Sequence, residues 1–171
     1  MLYLIVRAIA IILFKFLFRL QVNGLENIPG KGAFILAVNH TSYLDPPVLA
    51  AACPRIVSFL AKEELFENKL FAAFITGLNA FPLKSQSGDM KSLRWAIGIL
   101  KRGKALIIFP EGRRTPDGKL DKPLSGVGLL AAKAVVPVIP AFIQGANKAL
   151  PIESKFIRLE QIRVYFGRPI R

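Results

Sequence analysis

The chain has 171 residues, the size of a single domain and enough to bury a core. Apolar residues make up 53% of it, yet 24 lysines and arginines outnumber 11 acidic residues, which gives a net charge of +13. An apolar and strongly basic chain favours an anionic lipid surface as its partner. Nucleic acid is the other common polyanion, but no recognised nucleic-acid motif accompanies the charge. With one cysteine and one histidine, the chain has no internal disulfide and no Cys/His metal site.

The N-terminal segment is apolar but is interrupted by Arg7, Lys15 and Arg19. Its longest uncharged run is far shorter than the ~20 residues that a membrane-spanning helix needs. It also lacks the small-residue cleavage site of a secretory signal. At about 100° per residue, the three cations share one face of a helix. The pattern therefore predicts an amphipathic helix over residues 1–21, lying in a membrane interface with its cations at the headgroups. A helix packed on the core, with a solvated basic edge, is the alternative.

From residue 22 onward, strand-like and helix-like segments alternate. The predicted strands are 33–38, 55–61, 78–83, 105–109, 136–143 and 162–166, and the predicted helices are 43–52, 63–75, 87–101 and 127–134. This alternation is typical of an α/β domain, here 22–171, with a largely parallel central sheet flanked by helices. In open α/β sheets, ligands bind beyond the carboxyl ends of the strands. The turns after Val38, Leu83 and Phe109 are therefore the places where a site is expected.

The turn after Val38 carries His40, the single histidine, and Asp45 five residues later. If the chain turns between them, the carboxylate can hold one ring nitrogen as an N–H donor and leave the other nitrogen as a base. Such a base can take a proton from an attacking hydroxyl. A simple capping arrangement is the alternative at this spacing.

The turn after Phe109 combines Gly112 with two adjacent arginines, Arg113 and Arg114. Arginine pairs bidentately with phosphate, and glycine lets a ligand approach the backbone, so the turn is suited to binding an anion. A basic surface loop is the alternative. The turn after Leu83 supplies a further cation, Lys84, which standing alone is most simply a solvated side chain.

Four motifs in order resemble those of the lysophosphatidate acyltransferase family, the glycerolipid acyltransferases that act on 1-acylglycerol 3-phosphate. They are Asn39-His40 through Asp45 (N-H-x-x-x-x-D), the less well kept segment 77–84, Phe109-Pro110-Glu111-Gly112 followed by Arg113-Arg114-Thr115, and Val136-Pro137-Val138-Ile139-Pro140. The resemblance covers residues 22–170. Two positions depart from the family pattern, because Lys84 stands where arginine is usual and Arg113 where threonine is usual. Lysine keeps the charge but loses the bidentate fork.

The resemblance implies transfer of a fatty acyl group from acyl-carrier protein or acyl-CoA to the free hydroxyl of 1-acyl-sn-glycerol 3-phosphate, which gives phosphatidic acid for phospholipid biosynthesis. It implies that His40 is the general base, that Asp45 orients it, and that no acyl-enzyme forms. Acceptor binding would fall to the polar residues of the later turns, namely Lys84, Glu111, Gly112, Arg113 and Arg114. No metal and no cofactor beyond the thioester co-substrate is implied.

The expected protein is a peripheral or monotopic enzyme on the cytoplasmic face of a membrane. Its partners would be the phospholipid surface, the lysophosphatidate acceptor and the acyl-carrier protein or CoA thioester, with no nucleic acid. An acyltransferase with another acceptor, glycerol 3-phosphate or an amino-acid lipid, is one alternative. A non-enzymatic membrane-binding module is another, although it leaves His40, Asp45, Glu111 and Arg114 unexplained. Acceptor, donor, chain length and oligomeric state stay open at this stage.

Overall fold

A computed structural model describes residues 1–83, 90–115, 120–154 and 156–171. In this part of the chain, seven strands form one sheet: β1 Gln21–Asn23, β2 Phe34–Val38, β3 Val57–Lys62, β4 Ala80–Leu83, β5 Ala105–Ile108, β6 Val138–Gln144 and β7 Arg163–Phe166. The α-helices are α1 Leu2–Leu17, α2 Asp45–Ala52, α3 Lys69–Gly77, α4 Met90–Lys101, α5 Gly126–Ala134 and the short α6 Ala146–Ala149. Single 3-10 turns lie at Leu25–Asn27 and Glu63–Phe66.

The strand order is β1-β7-β6-β2-β5-β3-β4, and only the β6–β7 pairing is antiparallel. The prediction of an α/β fold with a largely parallel sheet is thereby confirmed. β2 lies between β5 and β6, and Phe34, Ile35 and Leu36 are fully buried, as expected of a central strand covered on both faces. Because β2 and β5 run in the same direction, the turns that follow Val38 and Ile108 meet at one edge of the sheet.

The two faces of the sheet are covered by different helices. Phe34 and Leu36 pack in one cluster with the buried side chains of α1 and α2, whereas Ile35 packs in a second cluster with α4 and α5. Side chains alternate between the faces along a strand, so the two clusters lie on opposite sides of β2. The predicted arrangement of helices flanking the sheet is therefore present.

Some predicted boundaries differ from the observed ones. The predicted helix 63–75 is split into a 3-10 turn and α3, because the side chain of Asn68 accepts the N–H groups of Leu70 and Phe71 and caps a new helix start. The helix predicted from residue 43 begins instead at Asp45. β1 was not predicted, since three partly exposed residues carry no periodic pattern. The first three residues of the predicted helix 87–101 lie outside the described residues.

Helix α1 packs against the core through one face. Tyr3 and Phe14 are buried, and the Tyr3 hydroxyl accepts the N–H of Val57 at 3.2 Å. Arg7 donates from Nε to the carbonyl of Ala50 at 2.9 Å and from Nη2 to that of Cys53 at 2.7 Å. These carbonyls belong to the C-terminal end of α2, where no helical partner is available. The expectation that Arg7 reaches headgroups was therefore wrong, because its N–H groups are hydrogen-bonded to carbonyl groups at the end of α2.

The opposite face of α1 is apolar and exposed. Ile5, Ile9, Ile12 and Phe16 follow one another at three- and four-residue spacing, and each is at least half exposed. Arg19 lies beyond the helix, which ends at Leu17. None of the helices in the described ranges has both the length and the apolar content to cross a membrane. The domain boundary predicted between residues 21 and 22 stays a prediction, and Tyr3 and Phe14 share the core of the domain.

Asn39 joins the carboxyl end of β2 to β6, and loss of its side chain should destabilise the fold. Its buried amide donates from Nδ2 to the carbonyl of Ile143 at 3.0 Å, and its Oδ1 accepts the N–H of Ile143 at 2.7 Å. Asn39→Ala leaves both buried groups of Ile143 unpaired, so the free energy of unfolding should fall by about 2–4 kcal/mol in urea titrations. Asn23→Ala, at an exposed strand position, should change it by no more than about 0.5 kcal/mol. An Asn39→Ala protein as stable as wild type would contradict this role.

Candidate active site

The site lies where β2 ends and α2 begins. Val38 is the last residue of the buried strand, and Asp45 is the first residue of α2. Pro46 and Pro47 follow in the first turn of the helix, where backbone N–H groups have no helical acceptor and proline is tolerated. The strand and the helix thus hold His40 and Asp45 at the two ends of one tight connection.

His40 and Asp45 form a hydrogen-bonded pair. His40 Nδ1 lies 2.8 Å from Asp45 Oδ2, and the carboxylate is fully buried while the imidazole is 19% exposed. The same oxygen accepts the backbone N–H groups of Thr41 at 2.6 Å and Ser42 at 2.8 Å. A carboxylate only accepts, so His40 Nδ1 carries the proton and donates it, which leaves Nε2 as the basic nitrogen. The hydrogen-bonded pair expected from the sequence is therefore present, and the Asp45 side chain closes the preceding turn and does not cap α2.

The turn after β5 is tied to this pair. The N–H of Thr115 donates to the carbonyl of His40 at 2.8 Å, and the ring of Phe109 stacks on the imidazole with the two ring centroids 4.0 Å apart. The first and second predicted turns therefore lie together at one edge of the sheet. The stacked ring limits rotation of His40 about its side chain and covers one face of it.

Two polar groups of the second turn have spare hydrogen-bonding capacity. Glu111 is buried, and its Oε2 accepts the N–H of Asp121 at 3.4 Å, whereas Oε1 has no partner among the described residues. Arg114 Nη1 is also buried and has no partner in the same part of the chain. Its guanidinium carbon lies 3.5 Å from the centre of the Tyr43 ring. Buried polar atoms are normally hydrogen-bonded, so Glu111 and Arg114 are suited to binding a polar ligand.

Gly112 and Arg113 shape the turn. Gly112 has a φ of +67°, and a Cβ there would lie 3.0 Å from Leu124 Cδ1, so the position favours glycine. Arg113 is 75% exposed and donates from Nε and Nη2 to Asp121 Oδ2 at 3.0 and 2.5 Å. These hydrogen bonds lower the pKa of Asp121. Acceptor binding by Arg113 stays a prediction, and Lys84 lies outside the described residues.

An apolar cavity of about 500 Å³ opens beside the polar site. It lies between α1, α2, β3 and α3, and Tyr43 and Phe109 border it on the side of Arg114 and His40. Its walls include Val6, Ala10, Ala61, Phe71 and Ile75. The sequence did not reveal this cavity, because its walls come from separate segments; the one signal was the apolar stretch 63–75, whose helix α3 buries none of its residues.

The sequence matches a known protein family and several named relatives. Residues 19–144 match the model of the family described as Acyltransferase. The chain is 30% identical over 152 residues to the 1-acyl-sn-glycerol-3-phosphate acyltransferase of Bacillus subtilis, covering 88% of this chain and 73% of that protein. It is 29% identical to the chloroplastic enzyme BAT2 of the same name from Brassica napus, of which it spans 45%.

A solved structure shows the same fold. The 1-acyl-sn-glycerophosphate acyltransferase of Thermotoga maritima superposes with a TM-score of 0.82 at 30% identity, covering 98% of this chain and 68% of that one. The family model spans well over half of the chain and includes His40, Asp45, Glu111 and Arg114. The chain therefore belongs to the acyltransferase family.

Proposed function

We propose that this protein is a 1-acyl-sn-glycerol-3-phosphate O-acyltransferase. It moves a fatty acyl group from acyl-carrier protein or acyl-CoA to the free hydroxyl of the acceptor and gives phosphatidic acid. The observation that carries the proposal is the bonded pair of His40 and Asp45, set between an apolar cavity and the polar groups of Glu111 and Arg114. The names of the Bacillus subtilis and Thermotoga maritima relatives support this acceptor.

The proposed reaction is a direct transfer. His40 Nε2 takes the proton of the acceptor hydroxyl while its oxygen attacks the thioester carbonyl, and Asp45 stabilises the imidazolium that forms. The carbon–sulfur bond then breaks, and the thiol leaves with the proton from His40. The cysteine of this chain does not suit a covalent intermediate, since Cys53 is fully buried and its burial raises the pKa of the thiol.

Polar and apolar parts of the acceptor have separate binding places around His40. Arg114 has the charge and the planar fork that bind a phosphate, and Glu111 Oε1 can accept a hydrogen bond from a glycerol hydroxyl. The apolar cavity takes a fatty acyl chain. Glycerol 3-phosphate would use Arg114 but brings no acyl chain, and an amino-acid lipid lacks the phosphate, so lysophosphatidate fits the combined site better than either.

The proposed location is the cytoplasmic face of a membrane, with peripheral or monotopic attachment. The exposed apolar stripe of α1, with Lys15 exposed at its end, supports this orientation. A non-enzymatic membrane module would use the same stripe, but it gives no reason for the buried His40–Asp45 pair.

The first test of this proposal is catalysis by His40. Wild-type protein with an acyl thioester should convert lysophosphatidate to phosphatidic acid, detected by mass, and glycerol 3-phosphate and an amino-acid lipid should be poorer acceptors. His40→Ala should lower kcat by about 100- to 10,000-fold, because the general base is lost. The control is that this variant still unfolds cooperatively and still binds anionic vesicles. Near-normal turnover by His40→Ala would exclude the mechanism.

The second test compares the two arginines. Arg114→Ala should raise KM for lysophosphatidate by about 10- to 100-fold. This factor corresponds to the usual free energy of a hydrogen bond between charged groups. Arg113→Ala is the matched control and should change KM by less than about 3-fold, because Arg113 is exposed and paired with Asp121. Equal effects of the two variants would show that Arg113 also binds the acceptor.

The third test enlarges a side chain in the wall of the cavity. Ala10→Phe places a large ring there, so kcat/KM should fall more for a lysophosphatidate with a palmitoyl chain than for one with a decanoyl chain. Ala8→Phe, on the exposed side of the same helix, is the control and should leave both acceptors unaffected. Identical losses for the two chain lengths would mean that this cavity does not hold the acyl chain of the acceptor.

A further inference from the structure

Tyr43 lies in the turn between His40 and Asp45 and has no part in the proton transfer. Although it is 59% exposed, its ring borders the apolar cavity and also covers the guanidinium of Arg114, whose central carbon is 3.5 Å from the ring centre. An exposed aromatic ring in such close contact with one cation forms a cation–π stack.

We propose that Tyr43 is a positioning residue that holds the guanidinium of Arg114 in the plane that receives the acceptor's phosphate. This inference rests on the proposed function, because it assigns the phosphate of lysophosphatidate to Arg114. Tyr43 then sets the affinity for a phosphate-bearing acceptor and leaves the chemical step to His40.

The geometry of the guanidinium favours this role for Tyr43. The group is planar, and all its N–H donors point outward in that plane. A ring stacked on its face therefore fixes the plane without using a single donor. Arg114 Nη1 is buried and has no hydrogen-bond partner among the described residues, so the stack leaves this donor available for an anion.

A matching arrangement surrounds His40. The ring of Phe109 stacks on the imidazole, and Phe109 borders the same cavity as Tyr43. His40 and Arg114 are thus each supported by one aromatic ring on the side of the cavity. The cavity wall is apolar, which weakens the competition of water for Arg114 and strengthens the cation–π contact.

The proposed role depends on the ring of Tyr43 and not on its hydroxyl. If the Tyr43 hydroxyl bound the acceptor directly, Tyr43→Phe would weaken binding as much as removal of the ring. The stack predicts the opposite, since phenylalanine keeps the aromatic face. Tyr43→Leu keeps an apolar side chain beside the cavity but has no π-face, so it removes the stack.

The experiment measures kinetics with two acceptors, lysophosphatidate and the phosphate-free 1-acylglycerol. Tyr43→Leu should raise KM for lysophosphatidate by about 5- to 30-fold, with kcat within about 3-fold of wild type. Tyr43→Phe should stay within about 2-fold in both constants. The slow transfer to 1-acylglycerol should be unchanged, because that acceptor has no phosphate to place. Tyr165→Leu, at a partly exposed position of β7, is the matched control and should behave as wild type.

Two further measurements separate this inference from the proposed reaction. Calorimetric binding of lysophosphatidate, without a thioester, should be weakened in Tyr43→Leu by the same factor as KM. In an Arg114→Ala background, Tyr43→Leu should have no further effect. If the wild-type protein binds lysophosphatidate but transfers no acyl group, the proposed function is wrong. The calorimetric comparison of wild type with Tyr43→Leu then still tests the role of Tyr43. Unchanged lysophosphatidate binding in Tyr43→Leu, or equal losses for the two acceptors, would overturn the inference.

Discussion

One oxygen of a buried carboxylate organises the site. Asp45 Oδ2 accepts three N–H groups, from Thr41, Ser42 and the ring of His40, all within 2.8 Å. The two backbone contacts close the turn between β2 and α2, and the third directs the imidazole. A buried carboxylate is costly unless it is hydrogen-bonded, so the same oxygen that is satisfied by the turn also selects the form of His40 that has a basic Nε2. The stability of the turn and the reactivity of the histidine depend on the same atom.

The parallel sheet brings the other groups to this carboxylate. β5 runs beside β2 in the same direction, so its following turn carries Glu111 and Arg114 to the edge where His40 lies. The hydrogen bond from Thr115 to the carbonyl of His40 joins the two turns, and Asn39 ties the end of β2 to Ile143 of β6. Asn39 thus supports the end of β2 directly before His40, which gives a physical reason for an asparagine at this position of the sequence.

The parts of this arrangement that the sequence predicts are those with a local pattern. The apolar runs of β2 and β5 indicate buried parallel strands, and the polar residues directly after them indicate where the site lies. The positions of His40 and Asp45 were predicted because both lie in one short turn. β1 was missed, since three residues make no periodic pattern and its pairing with β7 joins distant parts of the chain.

The remaining features depend on contacts between distant segments. Arg7 resembles an interfacial cation in a helix pattern, but its donors bind the carbonyls of Ala50 and Cys53, more than 40 residues away. Arg113 and Arg114 are adjacent and chemically identical, yet one pairs with Asp121 on the surface and the other stacks on Tyr43. Residue type and spacing contain no information that separates the two, and the cavity likewise exists only after α1 and α3 have packed.

We infer that Asp45 holds His40 with a proton on Nδ1 and a free Nε2. Because His40 is the single histidine of the chain, ¹⁵N labelling of histidine gives one pair of ring resonances and an unambiguous assignment. At a pH where the ring is neutral, the spectrum should show a protonated Nδ1 and an unprotonated Nε2. Replacement of Asp45 by alanine removes the acceptor and should abolish that preference. A wild-type ring with its proton on Nε2 would contradict the account, because the nitrogen available to the acceptor hydroxyl would then not be a base.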